Sequence, residues 1–155
     1  MAVFRNGKRV WVSPAPLSSS ERCLIMNSSD NVPIECAVSI RIIGELLQPE
    51  RVTELMQLSP SHSHCQGDAN VSPSGRVLGN RSEGIWIYEL PASPKCVDSN
   101  LCDLLELLKE REQVVRRLIE EGLRADLTVG LFGIEDNGGF SIKAETLAAI
   151  AALGV

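Results

Sequence analysis

The sequence predicts an α+β fold, a pseudo-symmetric sandwich of one mostly antiparallel sheet with helices packed on it. Three observations lead there. Residues 35–44, ECAVSIRIIG, place Cys36, Val38, Ile40 and Ile42 on one face and Ala37, Ser39 and Arg41 on the other, the period of a strand with one buried side. Between Ser99 and Glu121, Leu101, Leu104, Leu105, Leu108, Val115, Leu118 and Ile119 fall on one stripe at helical spacing. Finally, SIRIIGELLQPERVTELMQL is echoed by LTVGLFG and FSIKAETLAAIAAL: each runs through a strand, a break, an acidic residue and an apolar helix. Two strand-then-helix units around a central long helix give the pseudo-symmetry.

At the N-terminus, AVFR and KRVWV flank Asn6-Gly7, a dipeptide suited to a type I′ turn because both central residues need positive φ. A β-hairpin over residues 2–12 follows, with Arg5 opposite Lys8, Phe4 opposite Arg9 and Val3 opposite Val10. Residues 13–33 are rich in Ser, Pro and Asn and read as a linker, with a short apolar patch at Leu24 to Met26. The chain therefore divides into an N-terminal extension, residues 1–33, and a single α+β domain, residues 34–155. After the first strand of that domain, Pro49 is placed as the first helical residue, where its missing N–H costs nothing, with Glu50 near the positive helix end. Val52, Leu55 and Met56 form the inward stripe, and the helix ends near Leu58, before Ser59-Pro60.

SPSHSHCQGD and the glycine-rich residues up to Gly84 read as a polar connection. GIWIYEL is a second strand, with Trp86 and Tyr88 on the face opposite Ile85 and Ile87. The long helix has capping oxygens on Asp98, Ser99 and Asn100, an i,i+4 pair in Glu112 and Arg116, and a left-handed stop at Gly122. ADLTVGLFGIE is a third strand. Asp136-Asn137-Gly138-Gly139 then turns into a short strand, FSI, and KAETLAAIAALGV closes as a helix with Leu147, Ile150 and Ala151 inward.

Composition excludes several classes. The 155 residues are 44% hydrophobic and 23% charged, too apolar for disorder and enough for a core without metal or disulfide support. A net charge of −5 opposes phosphate binding, so no nucleic acid is expected as a partner. The first residues lack the apolar run of a signal peptide, and no stretch approaches the roughly 20 apolar residues of a membrane span. Five cysteines, an odd number without CxxC spacing, suggest reduced thiols. Together these features place the protein in a cytoplasm, with no membrane partner.

Few residues point to chemistry. His62, His64 and Cys65 stand together, and an HxH pair on a strand would aim both imidazoles at one face, as a metal requires. No second ligand pair stands at a recognisable spacing, so the stretch is read as a solvated loop, with no metal, cofactor or catalytic residue assigned. Cys102 lies near the start of the long helix, where the dipole lowers thiol pKa, but a small, partly buried residue is much the commoner reason for a cysteine there. Arg41, Arg76 and Arg81 could meet an anion; scattered arginines are ordinarily surface charge. DNGGF does not fit a phosphate loop.

From Glu35 onward the strand VSIRIIG, the run LLQPERVTELMQLSP, a glycine-bearing loop to GIWIYEL, the helix LCDLLELLKEREQVVRRLIEEGLRADL and the ending NGGFSIKAETLAAIAALGV are collinear with one family. The chain resembles the domain-of-unknown-function family numbered 4279. That resemblance implies a small bacterial α+β domain and implies no activity. Two departures matter: Lys143-Ala144 stands where the family has Ser-Pro, a poorer N-cap, and the family continues past LGV into a final strand. A sheet short of one strand exposes backbone groups, and the N-terminal hairpin is expected to cover that vacancy or lie beside it. The function expected is a non-catalytic protein-interaction or binding module, pairing with another protein through an exposed sheet edge and leaving a homo-oligomer open. The alternative is a small metal-dependent enzyme or ligand-binding protein built on His62, His64 and Cys65.

Overall fold

The computed structural model describes residues 2–5, 8–11, 35–93, 96–132 and 140–155. In chain order the elements are β1 (Ala2–Arg5), β2 (Lys8–Trp11), β3 (Glu35–Gly44), α1 (Pro49–Met56), β4 (His62–His64), β5 (Ala69–Val71) and β6 (Val77–Asn80). Then follow β7 (Gly84–Glu89), α2 (Val97–Lys109), α3 (Glu112–Glu120), β8 (Arg124–Phe132) and α4 (Ala144–Leu153). The fold is α+β, with helices packed on an antiparallel sheet of order β4-β7-β3-β8. The hairpin β1-β2 has the register the sequence gives it, Arg5 opposite Lys8 and Val3 opposite Val10. It forms its own two-stranded sheet and adds no strand to the larger one. The turn at Asn6-Gly7, the linker with its Leu24–Met26 patch, and the Asp136–Gly139 turn lie outside the described residues.

One face of the sheet carries the core. Cys36, Val38, Ile40 and Ile42 of β3 and Trp86 of β7 are buried against Val52 and Met56 of α1, Leu101, Leu104 and Leu108 of α2, Val115 and Leu118 of α3, and Leu153 of α4. Ala125, Leu127, Val129 and Leu131 of β8 continue that face and are partly buried. Burying each large aliphatic side chain contributes about 1.5–3 kcal/mol, so this single face carries most of the favourable energy. Trp86, fully buried, resolves its polar atom by donating to Thr53 Oγ1 of α1 at 3.0 Å, which fixes α1 across β7.

Several expectations are corrected. The helix expected from Ser99 to Glu121 is two helices, although its apolar stripe runs on through both. At the break Arg111 takes φ −112°, ψ 4°, and its N–H closes a tight turn onto the Leu108 carbonyl at 2.8 Å. Its guanidinium donates to the Leu107 and Met56 carbonyls, both at 2.7 Å, so one side chain satisfies orphan acceptors near the ends of α1 and α2. The start also differs: Cys96 is the N-cap, and its sulfur accepts from Ser99 N–H. Cys96 is disulfide-bonded, which corrects the all-thiol reading there; Cys36, Cys65 and Cys102 are free.

Asp98 and Asn100, expected to cap α2, are instead buried and serve other elements. Asn100 Nδ2 donates to the Cys36 carbonyl at 3.1 Å while its Oδ1 accepts from Ser93 Oγ at 2.8 Å, locking the start of β3 to the end of the β7 segment. Asp98 Oδ1 accepts from the Lys143 backbone N–H at 2.9 Å and from Thr146 Oγ1 at 2.7 Å. Lys143 is the N-cap of α4 and makes no side-chain cap bond, so the cap that the sequence lacks locally is supplied by α2.

That capture sets the phase of α4. Thr146 and Leu153 are buried and Ile150 half-buried, whereas Leu147 is 52% exposed and Ala151 is exposed, contrary to expectation. Residues 140–142, expected as a short strand, are irregular. Helix α1 starts at Pro49 as expected but stops at Met56, because Gln57 adopts a left-handed φ of 52° and its N–H closes onto the Thr53 carbonyl. The polar connection contains three short strands: β4 joins the sheet, and β5 pairs with β6 as an exposed hairpin.

Candidate functional site

The histidine stretch lies on the rim of the sheet. β4 pairs with β7 in the register His62–Ile87, Ser63–Trp86 and His64–Ile85. Since Trp86 faces the helices, both imidazoles share the opposite face with Ile85 and Ile87. The rings meet edge to face with centroids 5.3 Å apart, and His64 Nδ1 lies 3.2 Å from His62 Nε2. One ring donates and the other accepts, so at least one is neutral in this contact. Burial, then the positive charges of Arg81 and His62, pull the His64 pKa below its ordinary 6.5 against an opposing pull from Asp68.

The stability consequence has a definite sign. The neutral ring is favoured in the folded chain, so as pH falls through about 6.5 the unfolded chain takes up the proton first and stability declines. Ring-proton NMR is expected to give His64 a midpoint below 6.5, and His62→Ala is expected to move that midpoint upward by removing a repelling charge. An unchanged midpoint in the variant would show that the two rings do not sense each other.

Cys65 does not join the pair. Its backbone N–H is taken by Asp68 Oδ2 at 2.7 Å. Burial, with the negative charges of Asp68 and Glu50, pushes its thiol up, the wrong direction for a nucleophile or thiolate ligand. Among the described residues no group of three or more His, Cys, Asp or Glu side chains is arranged to hold a metal. An open cleft of about 250 Å³ beside His64, lined by Arg81, Glu83, Ile43 and Ile85, is smaller than the roughly 300–1,000 Å³ of ordinary ligand pockets.

The face away from the helices holds a second feature that sequence reasoning missed. Arg41 of β3 forks onto Asp126 of β8, Nε to Oδ1 at 2.6 Å and Nη2 to Oδ2 at 2.9 Å. The hydrogen bond to Asp126 raises the Arg41 pKa against the effect of burial. Arg41 is therefore committed within the chain rather than offered to an anion. Cross-strand register, which sequence periodicity does not give, is what brings the pair together.

The outer edge of β8 completes the picture. Cys36 and Val38 direct their backbone groups toward the β7 side, where Cys36 exchanges bonds with Ser93 and the Val38 carbonyl accepts from Leu90. Alternation then directs Ala37, Ser39, Arg41 and Ile43 toward β8, onto Gly130, Thr128, Asp126 and Arg124. Ala125, Leu127, Val129 and Leu131 consequently point their N–H and C=O groups away from β3, and among the described residues no strand pairs with them. The nine-residue strand RADLTVGLF contains no proline, lysine or bulge, the usual guards of an edge.

A helix-covered antiparallel sheet, whose outer strand β8 has no second strand beside it among the described residues, defines a small α+β domain. The chain belongs to the family described as DUF4279, domain of unknown function, whose model matches residues 34–155. No curated protein and no solved structure matches it. Among the described residues no helix is long and apolar enough to cross a membrane.

Proposed function

We propose that this protein is a non-catalytic interaction module that binds an extended strand of another protein along the outer edge of β8. The observation that carries the reading is the set of four consecutive outward-facing residues, Ala125, Leu127, Val129 and Leu131, without a strand partner among the described residues. Backbone bonds along such an edge supply affinity, and the alternating side chains supply specificity. Residues 34–155 act as one domain and residues 1–33 as an extension to it. The site of action is a bacterial cytoplasm, supported by the free thiols of Cys36, Cys65 and Cys102; the bridge at Cys96 counts against it.

The test is capture of the full chain from native cells beside Val129→Pro. Proline removes one outward N–H and none of the bonds of the β3 ladder, so the edge is blocked; because Val129 also packs on the core, circular dichroism first establishes that the variant folds. A partner held by the wild type and lost from the folded variant supports the reading; a partner held equally by both rejects the edge. Alkylation of the same extract at lysis reads the compartment: a Cys96 that labels without reductant shows the bridge open in the cell and supports the cytoplasm, and a Cys96 that labels only after reduction contradicts it.

One observation favours a second reading, a metal- or ligand-binding protein using His62 and His64. Their facing nitrogens at 3.2 Å match the separation of about 3.3 Å between two ligands at roughly 2.05 Å from a tetrahedral zinc. Stoichiometric zinc in untagged protein, lost in a His62→Ala/His64→Ala double variant, would establish it over the first.

A further inference from the structure

We propose that the strand accepted at this edge is β8 of a second copy, paired antiparallel about a two-fold axis at Thr128, so that two four-stranded sheets join into one of eight. This rests on the reading of the β8 edge as the binding surface and names its occupant.

The register follows from the outward set. In a symmetric antiparallel pair the outward residues of one copy must meet outward residues of the other. Centring on Leu127 leaves Leu131 without a mate from the set, and centring on Val129 leaves Ala125 without one. Centring on Thr128 matches all four, Ala125 with Leu131 and Leu127 with Val129, in both directions. Four pairs exchanging two bonds each make eight new backbone hydrogen bonds, and no outward group of the set is left over.

An independent observation selects the same centre. Thr128 Oγ1 is a buried side-chain oxygen with no hydrogen-bond partner, the lone such atom among the described residues. A buried hydroxyl left unpaired costs about 1–3 kcal/mol. Centring on Thr128 sets that residue opposite its own copy in a narrow, non-hydrogen-bonded pair, where Cα atoms approach to about 4.5 Å and a small rotation joins the two hydroxyls.

The flanking residues agree. Asp126 falls opposite Gly130, and Arg124 opposite Phe132, so no like charges face one another. Phe132, 55% exposed in the single chain, falls beside the aliphatic stem of Arg124 of the other copy, whose guanidinium is paired with Glu83 at 3.2 Å in its own chain. On the helix-covered face the matched pairs are aliphatic, extending both cores across the seam.

Sedimentation of the full chain is expected to show a dimer. Val129→Pro, and independently Phe132→Lys, which sets a cation opposite Arg124 at an exposed position, are each expected to weaken it on the order of 10- to 100-fold in Kd. Thr128→Cys reads the register: mild oxidation should link two copies through that position, because the narrow pair lies within the 4.4–6.8 Å Cα range of a disulfide. Peptide mass spectrometry distinguishes this link from one at Cys65 or Cys102. A chain monomeric up to about 100 μM, far above the Kd of a specific pair, overturns the proposal. A dimer that survives both edge variants, or does not cross-link at Thr128→Cys, also overturns it. If the chain is monomeric yet holds a heterologous partner lost in Val129→Pro, the second copy is excluded while the interaction module stands.

Discussion

Replacing Asp98 by alanine is expected to lower stability by about 3 kcal/mol, a fall in Tm on the order of 10 °C. The carboxylate is 4% exposed and closes three contacts: the Lys143 backbone N–H, the Thr146 hydroxyl and, at 3.4 Å, the Lys143 ammonium. Its removal leaves a helix N-terminal donor without its acceptor and the buried Thr146 hydroxyl with only the weak Cys102 sulfur contact at 3.6 Å, and frees α4 to slide in phase on the sandwich. The charge itself also matters. Burial is the largest single influence and opposes ionisation, but the bonds from Lys143 and Thr146 and the nearby ammonium outweigh it and hold the pKa below the ordinary 3.8.

A depressed folded-state pKa gives stability that is present above 3.8 and is lost as pH falls through the folded value. Asp98→Asn keeps an acceptor and removes the charge, so its stability should fall by less and lose part of its decline below pH 4. Thermal unfolding of wild type, Asp98→Ala, Asp98→Asn and Thr146→Val, with the alanine and valine changes combined, checks this. A Tm unaltered by Asp98→Ala, or strict additivity of the pair, would remove the interhelical cap from the account.

Arg111→Ala is expected to cost about 2–3 kcal/mol, since a largely buried guanidinium holds two backbone carbonyls from different helices. The neighbouring Glu110, 88% exposed and 4.0 Å away, adds little. Arg111→Lys should recover less than half of the loss, because a single ammonium lacks the planar fork that spans Met56 and Leu107. Urea unfolding of the three chains, with amide exchange in α1, separates the outcomes. Lysine equal to arginine would mean that charge alone acts there, and loss without faster exchange at the end of α1 would place the effect elsewhere.

The strands β3 and β7 are legible from sequence because their large apolar side chains recur with a period of two on the helix face, although Ala37 and Ser39, expected on an open face of β3, are buried too. β4 is not legible: three residues in a serine-rich stretch, with no buried side chain, carry no such period. The break at Arg111 was hidden because Leu108 and Val115 keep a helical rhythm across it, and the cause lies in a carbonyl of α1. The phase of α4 is hidden from the sequence for a related reason. AETLAAIAAL is apolar nearly all round, so periodicity cannot select a face, and Asp98 selects it from another helix. The sequence did flag Lys143 as a poor cap, which was the visible trace of that contact. As for the candidate site, His62 and His64 are visible as a pair in the sequence, whereas the Arg41–Asp126 fork and a β8 edge without a strand partner among the described residues need the register of the sheet.

If this protein binds through the outer edge of β8, the outward amides of that strand must respond to association. Residue-resolved amide exchange of the full chain tests it most directly, followed at rising chain concentration and after addition of any captured partner. Thr128 and Gly130 should be protected throughout, while Leu127, Val129 and Leu131 should exchange fast in the dilute chain and become protected on association. Association that leaves those outward amides exchanging as before would contradict it.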